Sequence, residues 1–234
     1  MPVELLPKKT RGNVVVAEMT LRFGDEKSLT NRVLAGQITS QLLLRGTAKH
    51  SRQQLQDEFD KLKAKVSLSN DVNFVTVSIE TTRDNLPAVM QLLAEALREP
   101  SFPAAEFEQL KQERLAAYER ERTDPEALAM ARIRRILNPY PPTDPRAVAL
   151  PDESIAALKL LTLEDVKRFH ADFWGGQFGE CAVVGDFDDK AFAKLADELF
   201  SGWRNKTPYA RLVKPFRAIA PAPQTIETPD KANA

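Results

Sequence analysis

The segment that decides the fold reads Gln37-Ile38-Thr39-Ser40-Gln41-Leu42-Leu43-Leu44-Arg45-Gly46-Thr47. Gln37, Ser40 and Gln41 lie three and four residues apart, so on a helix their side chains share one face. All three are polar and uncharged. A neutral amide is a poor ligand for a transition metal, and a serine hydroxyl is not a base near neutral pH. This face therefore has the layout of a helical metal site but no residue that would bind zinc or activate water.

The helix that carries this face is predicted over residues 28–45. Ser28 is a suitable N-terminal cap, and Gly46 is the residue type that usually follows a helix C-terminus. Gly36 lies inside the helix, where glycine costs about 1 kcal/mol relative to alanine. A glycine kept at that cost predicts the close approach of another backbone.

The elements around this helix predict an α+β fold, with an antiparallel sheet and helices packed mainly on one face. In the strand at residues 74–80, Val75, Val77 and Ile79 alternate with polar residues, which is typical of a sheet with one covered face. The first two strands are predicted to form a hairpin. Strands are predicted at residues 3–6, 15–23, 65–69, 74–80 and 179–184, and further helices at 51–62, 85–98, 103–122, 124–137, 162–173 and 188–199.

The composition is that of a globular protein, with 43% apolar and 28% charged residues in 234. Lysine plus arginine equals aspartate plus glutamate at 33 each, so no net field favours nucleic acid. The basic run at residues 132–135 follows four acidic residues and is interpreted as a solvated helix face. We expect no nucleic-acid partner. No apolar run of about 18 residues is present, so no membrane span is expected either.

The residues that most often carry chemistry are few. Cys181 is the single cysteine, so no disulfide within the chain is possible, and its apolar neighbours predict a buried thiol; a single cysteine leaves the redox compartment open. His50 and His170 are the two histidines, and neither has a second metal ligand three or four residues away. A catalytic zinc site needs three protein ligands. The sequence therefore predicts no metal and no cofactor in this chain.

The 37–47 segment resembles the motif of the pitrilysin/insulinase zinc peptidases, an inverted His-x-x-Glu-His helix followed by a Gly-Thr turn. On that motif Gln37 and Gln41 replace the two histidines and Ser40 replaces the glutamate. The resemblance extends from about residue 3 to 203. Its other marks are the Gly24-Asp25-Glu26 turn, the helix opening at Thr162 and the Val183-Val184-Gly185-Asp186 strand end.

The third zinc ligand of the family is a glutamate on the following long helix. Its place falls near Ala116 and Ala117, with Glu113 and Glu119 within one register slip. The resemblance therefore implies an inactive domain, with zinc only in a homologous catalytic domain or subunit as partner. It also implies a role in the substrate chamber, where a peptide substrate would pair with a sheet edge formed by Lys65, Val66, Ser67, Leu68 and Ser69.

One α+β domain is expected at residues 1–203, followed by a proline-rich linker at 204–234 that leads to a further domain. One alternative is a purely structural core-type subunit with no role in peptide binding. The other is an enzyme that uses an acidic pair, either Asp186 with Asp188 or Asp152 with Glu153. Acidic residues beside turns are usually helix caps, so the second alternative is the weaker one.

Overall fold

The computed structural model describes residues 1–221, 223, 225 and 226. Its described part holds five strands and eight α-helices. Among these residues no helix combines the length and the apolar character that crossing a bilayer requires. The strands are β1 (Val3–Pro7), β2 (Val14–Arg22), β3 (Lys65–Asn70), β4 (Phe74–Thr82) and β5 (Glu180–Gly185), and the helices are α1 (Val33–Leu42), α2 (Arg52–Lys61), α3 (Leu86–Arg98), α4 (Ala104–Glu121), α5 (Pro125–Leu137), α6 (Pro151–Leu160), α7 (Leu163–Phe173) and α8 (Asp189–Phe200).

The strands form one sheet in the order β1-β5-β2-β4-β3. The predicted hairpin of the first two strands is wrong, because β5 lies between them. β5 pairs antiparallel with β2 and parallel with β1. β5 thus has a backbone partner on each side. Both partners are far away in sequence, so no turn motif predicts these pairings. All other neighbouring strands are antiparallel.

One face of the sheet is buried and the other is open. On β2, Val15 and Met19 are fully buried, whereas Val16 and Glu18 between them are exposed. β4 alternates in the same way. The helices supply the cover on the buried side with one continuous apolar core. The predicted α+β class, with helices mainly on one face, is confirmed.

α1 begins at Val33, five residues later than predicted. Ser28 does not cap it, because Ser28 and Asp25 instead exchange hydrogen bonds within a turn: the Ser28 amide donates to the Asp25 carboxylate over 2.7 Å. Asn31 then takes a φ of 59°, a left-handed conformation that ends this turn before the helix can start. At the other end, a short 3₁₀ turn, Leu43–Arg45, leads to Gly46.

Gly36 of α1 is indeed a point of close approach, but the neighbour is a side chain and not a backbone. A Cβ atom built at Gly36 would lie 2.6 Å from Cζ of Phe169 on α7. The Phe169 ring is fully buried and stacks on Phe173, with 4.4 Å between ring centroids. The prediction of a crowded position is therefore right, and the prediction of what crowds it is wrong.

α6 was not predicted, because the segment before it is rich in proline. Pro151 occupies its first turn, where proline is tolerated. The Glu153 carboxylate accepts a hydrogen bond from the Leu150 amide over 2.8 Å and two more from Arg135 of α5. Glu153 therefore caps the N-terminus of α6 and links α6 to α5.

The segment after α8 has no helix or strand in its described part, yet it lies against the domain. Arg146 holds it: its guanidinium donates to the Val213 carbonyl over 3.0 Å, to Asp144 over 2.7 Å and pairs with Glu26 over 2.8 Å. It also lies 4.4 Å from the centre of the Tyr140 ring. The last stretch assigned to the linker, residues 228–234, lies outside the described residues.

We predict that Gly36→Ala destabilises the protein. The new methyl group would overlap the Phe169 ring, and such overpacking costs about 1–3 kcal/mol, although alanine is the better helix former by about 1 kcal/mol. Urea unfolding gives the difference. Gln112→Ala, at an exposed position of α4, is the control and should change little. A Gly36→Ala protein as stable as wild type would show that the α1–α7 contact is loose.

Candidate functional site

The three positions of the degenerate motif lie together on α1, as their spacing predicts. Ser40 is buried, and its hydroxyl donates to the Gln37 carbonyl over 2.9 Å. Gln37 and Gln41 are half-buried. The Ser40 hydroxyl therefore donates its proton to the backbone of its own helix, and within the described part of the chain it has no hydrogen bond to a basic side chain.

Arg114 of α4 approaches this face, and sequence reasoning missed it. Its Nε donates a hydrogen bond of 3.0 Å to Oε1 of Gln41. A guanidinium is a permanent cation with no lone pair to offer a metal. Gln41, where a zinc site on this face would need a ligand, thus accepts a hydrogen bond from the positively charged Arg114. Residues 41 and 114 are too far apart in sequence for any local motif to reveal the contact.

The two helices run in opposite directions here. Arg45, one turn after Gln41, reaches Glu113 over 3.0 Å and Glu106 over 3.4 Å on α4. Because the helices are antiparallel, we expect Gln37, one turn before Gln41, to lie at the level of Ala117, which follows Arg114 on α4. Ala117 is half-buried and Ala116 is exposed. The alanine at the expected third-ligand place can offer no donor atom.

The two glutamates near that place have other partners. Hydrogen bonds from Arg45 first, and from Gln109, hold the pKa of Glu113 below its ordinary value of 4.5. Glu119 pairs with Arg122 over 2.7 Å. Within the described residues no three or more histidine, cysteine, aspartate or glutamate side chains are grouped so that they could hold a metal ion.

A second polar cluster lies just after α1 and was also missed. The Thr47 hydroxyl donates to the carboxylate of Glu95 on α3, and Nδ1 of His50 lies 2.9 Å from the same carboxylate. The Thr47 hydroxyl also accepts from the His50 amide over 2.9 Å. Burial would raise the pKa of Glu95, but the hydrogen bonds from Thr47 and His50 outweigh it, and the pKa lies below 4.5. This cluster fastens the turn after α1 to α3.

The remaining reactive residues are used structurally. Burial lowers the pKa of His170, whose Nε2 lies 2.8 Å from the Leu97 carbonyl. Burial raises the pKa of Cys181 to about 12, so the predicted buried thiol is confirmed. Of the acidic pairs, Asp186 binds Arg83 over 2.7 Å and Asp188 caps α8.

The predicted peptide edge is an edge in the structure. β3 is the last strand of the sheet, with β4 on one side only. A groove of about 230 Å³ runs beside it. Val66 and Leu68 are half-buried, whereas Lys65, Ser67 and Ser69 are exposed on the open face of the sheet. The groove is lined by residues of α2 and β3 and by Leu44, among them Phe59, Lys65, Val66 and Ser67.

Two family models match the chain. One is described as insulinase (peptidase family M16) and matches residues 35–138. The other is described as peptidase M16 inactive domain and matches residues 160–234. The first includes the α1 face and the α4 helix that packs on it. A comparison with curated proteins found no match.

Solved structures share the fold. A peptidase M16 inactive domain from Pseudomonas fluorescens is 21% identical with a TM-score of 0.78, and the match covers 91% of this chain and 51% of that one. A protease from Helicobacter pylori is 17% identical with a TM-score of 0.73, covering 92% and 51%. A conserved protein from Enterococcus faecalis V583 is 15% identical with a TM-score of 0.70, covering 93% and 54%. This chain thus spans about half the length of each.

We predict that restoring the motif on α1 alone does not create a peptidase. The variant with Gln37→His, Ser40→Glu and Gln41→His gains two imidazoles but keeps alanine at position 117 and the Arg114 cation beside position 41. It should hold substoichiometric zinc after dialysis, measured by mass spectrometry, and should not cleave a fluorogenic peptide. Adding Ala117→Glu and Arg114→Gln supplies a third ligand and removes the cation, and should raise the zinc content towards one ion per chain. Robust turnover by the triple variant would instead assign the ligand role to Glu113 or Glu119.

We predict that Glu95→Gln destabilises the protein in a pH-dependent way. A hydrogen-bonded carboxylate with a lowered pKa contributes stability above its unfolded-state pKa and loses it as the pH falls through the folded-state value. The variant should be about 1–3 kcal/mol less stable at pH 7. The difference should shrink at pH values below 4.5. Urea unfolding between neutral and acid pH measures both, with Glu99→Gln as the exposed control. A constant difference at all pH values would contradict the role of the charge.

Proposed function

This chain belongs to the insulinase family of peptidases (M16), and we propose that it serves as a non-catalytic domain that works beside a homologous, zinc-bearing catalytic domain or subunit. Its match to the model of the family's inactive domain supports a non-catalytic chain. The parent protein would be a zinc metalloendopeptidase. This chain would contribute part of the wall of the substrate chamber and contact the catalytic domain.

The observation that carries the proposal is the hydrogen bond from Arg114 to Gln41. Zinc sites in proteins are built from thiolates, imidazoles and carboxylates. The α1 face offers amides and a hydroxyl, with a guanidinium against them. A divalent cation would meet a like charge and neutral donors. The chain itself would therefore hold no zinc, and the zinc of the parent would lie in the catalytic partner.

A role in holding peptide follows from a different part of the domain. An extended peptide can add to a sheet edge through backbone hydrogen bonds, which need no particular side chain. β3 offers such an edge, and its exposed Ser67 and Ser69 place no bulky group in the way. This edge consists of β3 paired with β4, and none of the three motif positions belongs to either strand. Peptide binding and zinc binding are thus separable in this fold.

We predict that the purified chain contains no zinc and does not cleave peptides, with or without added zinc. Elemental analysis and a fluorogenic peptide assay with chelator controls measure this. Stoichiometric zinc, or cleavage that a chelator abolishes, would overturn the proposal. Saturating casein peptides should slow hydrogen exchange of backbone amides in β3. Amides of β5, which has a partner on each side, serve as the internal control.

The same exchange experiment tests the purely structural alternative. If the chain only fills a place in an assembly, casein peptides should leave the exchange of β3 amides unchanged. That result would remove peptide holding from the proposal, while the absence of zinc and of cleavage would stand.

A further inference from the structure

α5 is an amphipathic helix whose apolar side faces outwards. No residue of α5 is buried. Its large apolar side chains recur every three to four residues and so form one stripe along the helix. A helix that packs only against its own domain normally turns such a stripe inwards. The exposed fractions along the stripe are 44% for Met130, 49% for Ile133, 37% for Ile136 and 60% for Leu137.

The stripe forms one wall of an apolar groove. The other wall comes from the segment after α8, through Ile219, Pro221 and Ile226. The groove has a volume of about 400 Å³. Among the described residues that line it, Arg132 is the one with a charged side chain. A space of this size between two apolar walls is suited to a row of apolar side chains from another element.

Arginines border the stripe on both sides. With about 100° between successive residues, Arg132 and Arg134 fall on opposite borders of it. In the described part of the chain neither forms an ion pair, whereas Arg135, on the inner side of the helix, binds Glu153 over 2.7 Å. The outer face of α5 therefore combines an apolar centre with a basic border. A partner surface complementary to this face would have an apolar centre with carboxylates along its edges.

We propose that the α5 groove is a docking surface for an amphipathic helix with acidic borders, carried by the catalytic partner domain. That the helix belongs to the catalytic partner domain rests on the proposed function. Its amphipathic and acidic character is inferred from the groove alone. The solved structures with this fold are about twice as long as this chain, so the fold occurs in chains that hold as much polypeptide again.

A protein partner fits this surface better than a lipid surface does. The chain as a whole has no net charge. A second groove on the Arg134 side of α5 is lined by charges of both signs, Arg120 and Arg134 with Glu121, Asp124 and Glu126. A flat anionic membrane would extend over these carboxylates. A single helix in the α5 groove would instead contact that groove's own lining, which among the described residues includes Arg132 and no carboxylate. A second copy of this chain fits less well, because the arginine borders of two α5 helices would face each other.

The test uses synthetic helical peptides, because the partner is not identified. One stapled peptide carries a leucine stripe with glutamates at both borders, and a second has lysines in place of the glutamates. Fluorescence anisotropy measures binding to the intact chain. The acidic peptide should bind at least about tenfold more tightly than the basic one, the change that about 1.4 kcal/mol produces. Arg132→Glu combined with Arg134→Glu should reverse the preference.

Ile133→Glu should reduce binding of the acidic peptide by about tenfold or more, because it places a charge inside the stripe. Leu160→Glu is the matched control: Leu160 is an apolar residue of α6 that is 80% exposed and lies outside the groove. It should bind like wild type. Because Ile133 is half exposed, its variant should fold normally, and the thermal midpoint checks this.

Several results would overturn the docking surface. These are no binding of either peptide, equal binding of both, and equal binding by the Ile133→Glu variant. Ile133-dependent binding to phosphatidylglycerol vesicles would assign the stripe to a membrane, and Ile133-dependent dimerisation in analytical ultracentrifugation would assign it to self-association. None of these results bears on zinc content or cleavage, so the groove and the proposed function can fail separately.

Discussion

The close contact between α1 and α7 is the constraint on which the rest of the site depends. Phe169 fills the space that a side chain at position 36 would need, and the Thr39 hydroxyl reaches the Val166 carbonyl over 3.3 Å. With these two residues against α7, and with Ile38 and Leu42 in the core, the rotation of α1 about its axis is determined. The one face that remains is that of Gln37 and Gln41. It therefore has to face α4.

The contact between α1 and α4 is made by polar and charged side chains. A dication bound by both helices would link them through coordination bonds. Here the link consists of the hydrogen bond from Arg114 to Gln41 and the pairs that Arg45 makes with Glu106 and Glu113. Such partly exposed pairs contribute about 0–1 kcal/mol each, so they orient the helices more than they stabilise them. The stability of the domain comes from the apolar core.

Local signals predicted much of this structure, and long-range pairings account for the errors. The helices predicted at residues 51–62 and 162–173 correspond to α2 and α7. Each begins with a capping box, at Ser51 and at Thr162, which is a local feature formed by residues three apart. Strand alternation identified the covered face of β4. The insertion of β5 between β1 and β2 was missed, since its partners lie more than 150 residues away and all three strands have compatible apolar faces.

In the candidate site, too, the local features were predicted and the contacts between helices were not. The shared face of Gln37, Ser40 and Gln41 follows from helix geometry, so their spacing was sufficient. Arg114 and Glu95 were not predicted, because a hydrogen bond between side chains of different helices depends on how those helices pack. A polar residue on an exposed helix gives no sequence signal that distinguishes it from a solvated one. The crowding at Gly36 had a signal, a costly glycine, but that signal does not name the neighbour.

The position of α1 depends on residues that are not metal ligands. Gly36, Ile38, Thr39 and Leu42 make its contacts with α7 and the core, whereas Gln41 contacts α4. Substitutions at the motif positions should therefore leave the position of α1 unchanged. Under the proposed function, the domain would act through surfaces that contact other polypeptides. The candidates in this chain are the free edge of β3 and the outward face of α5.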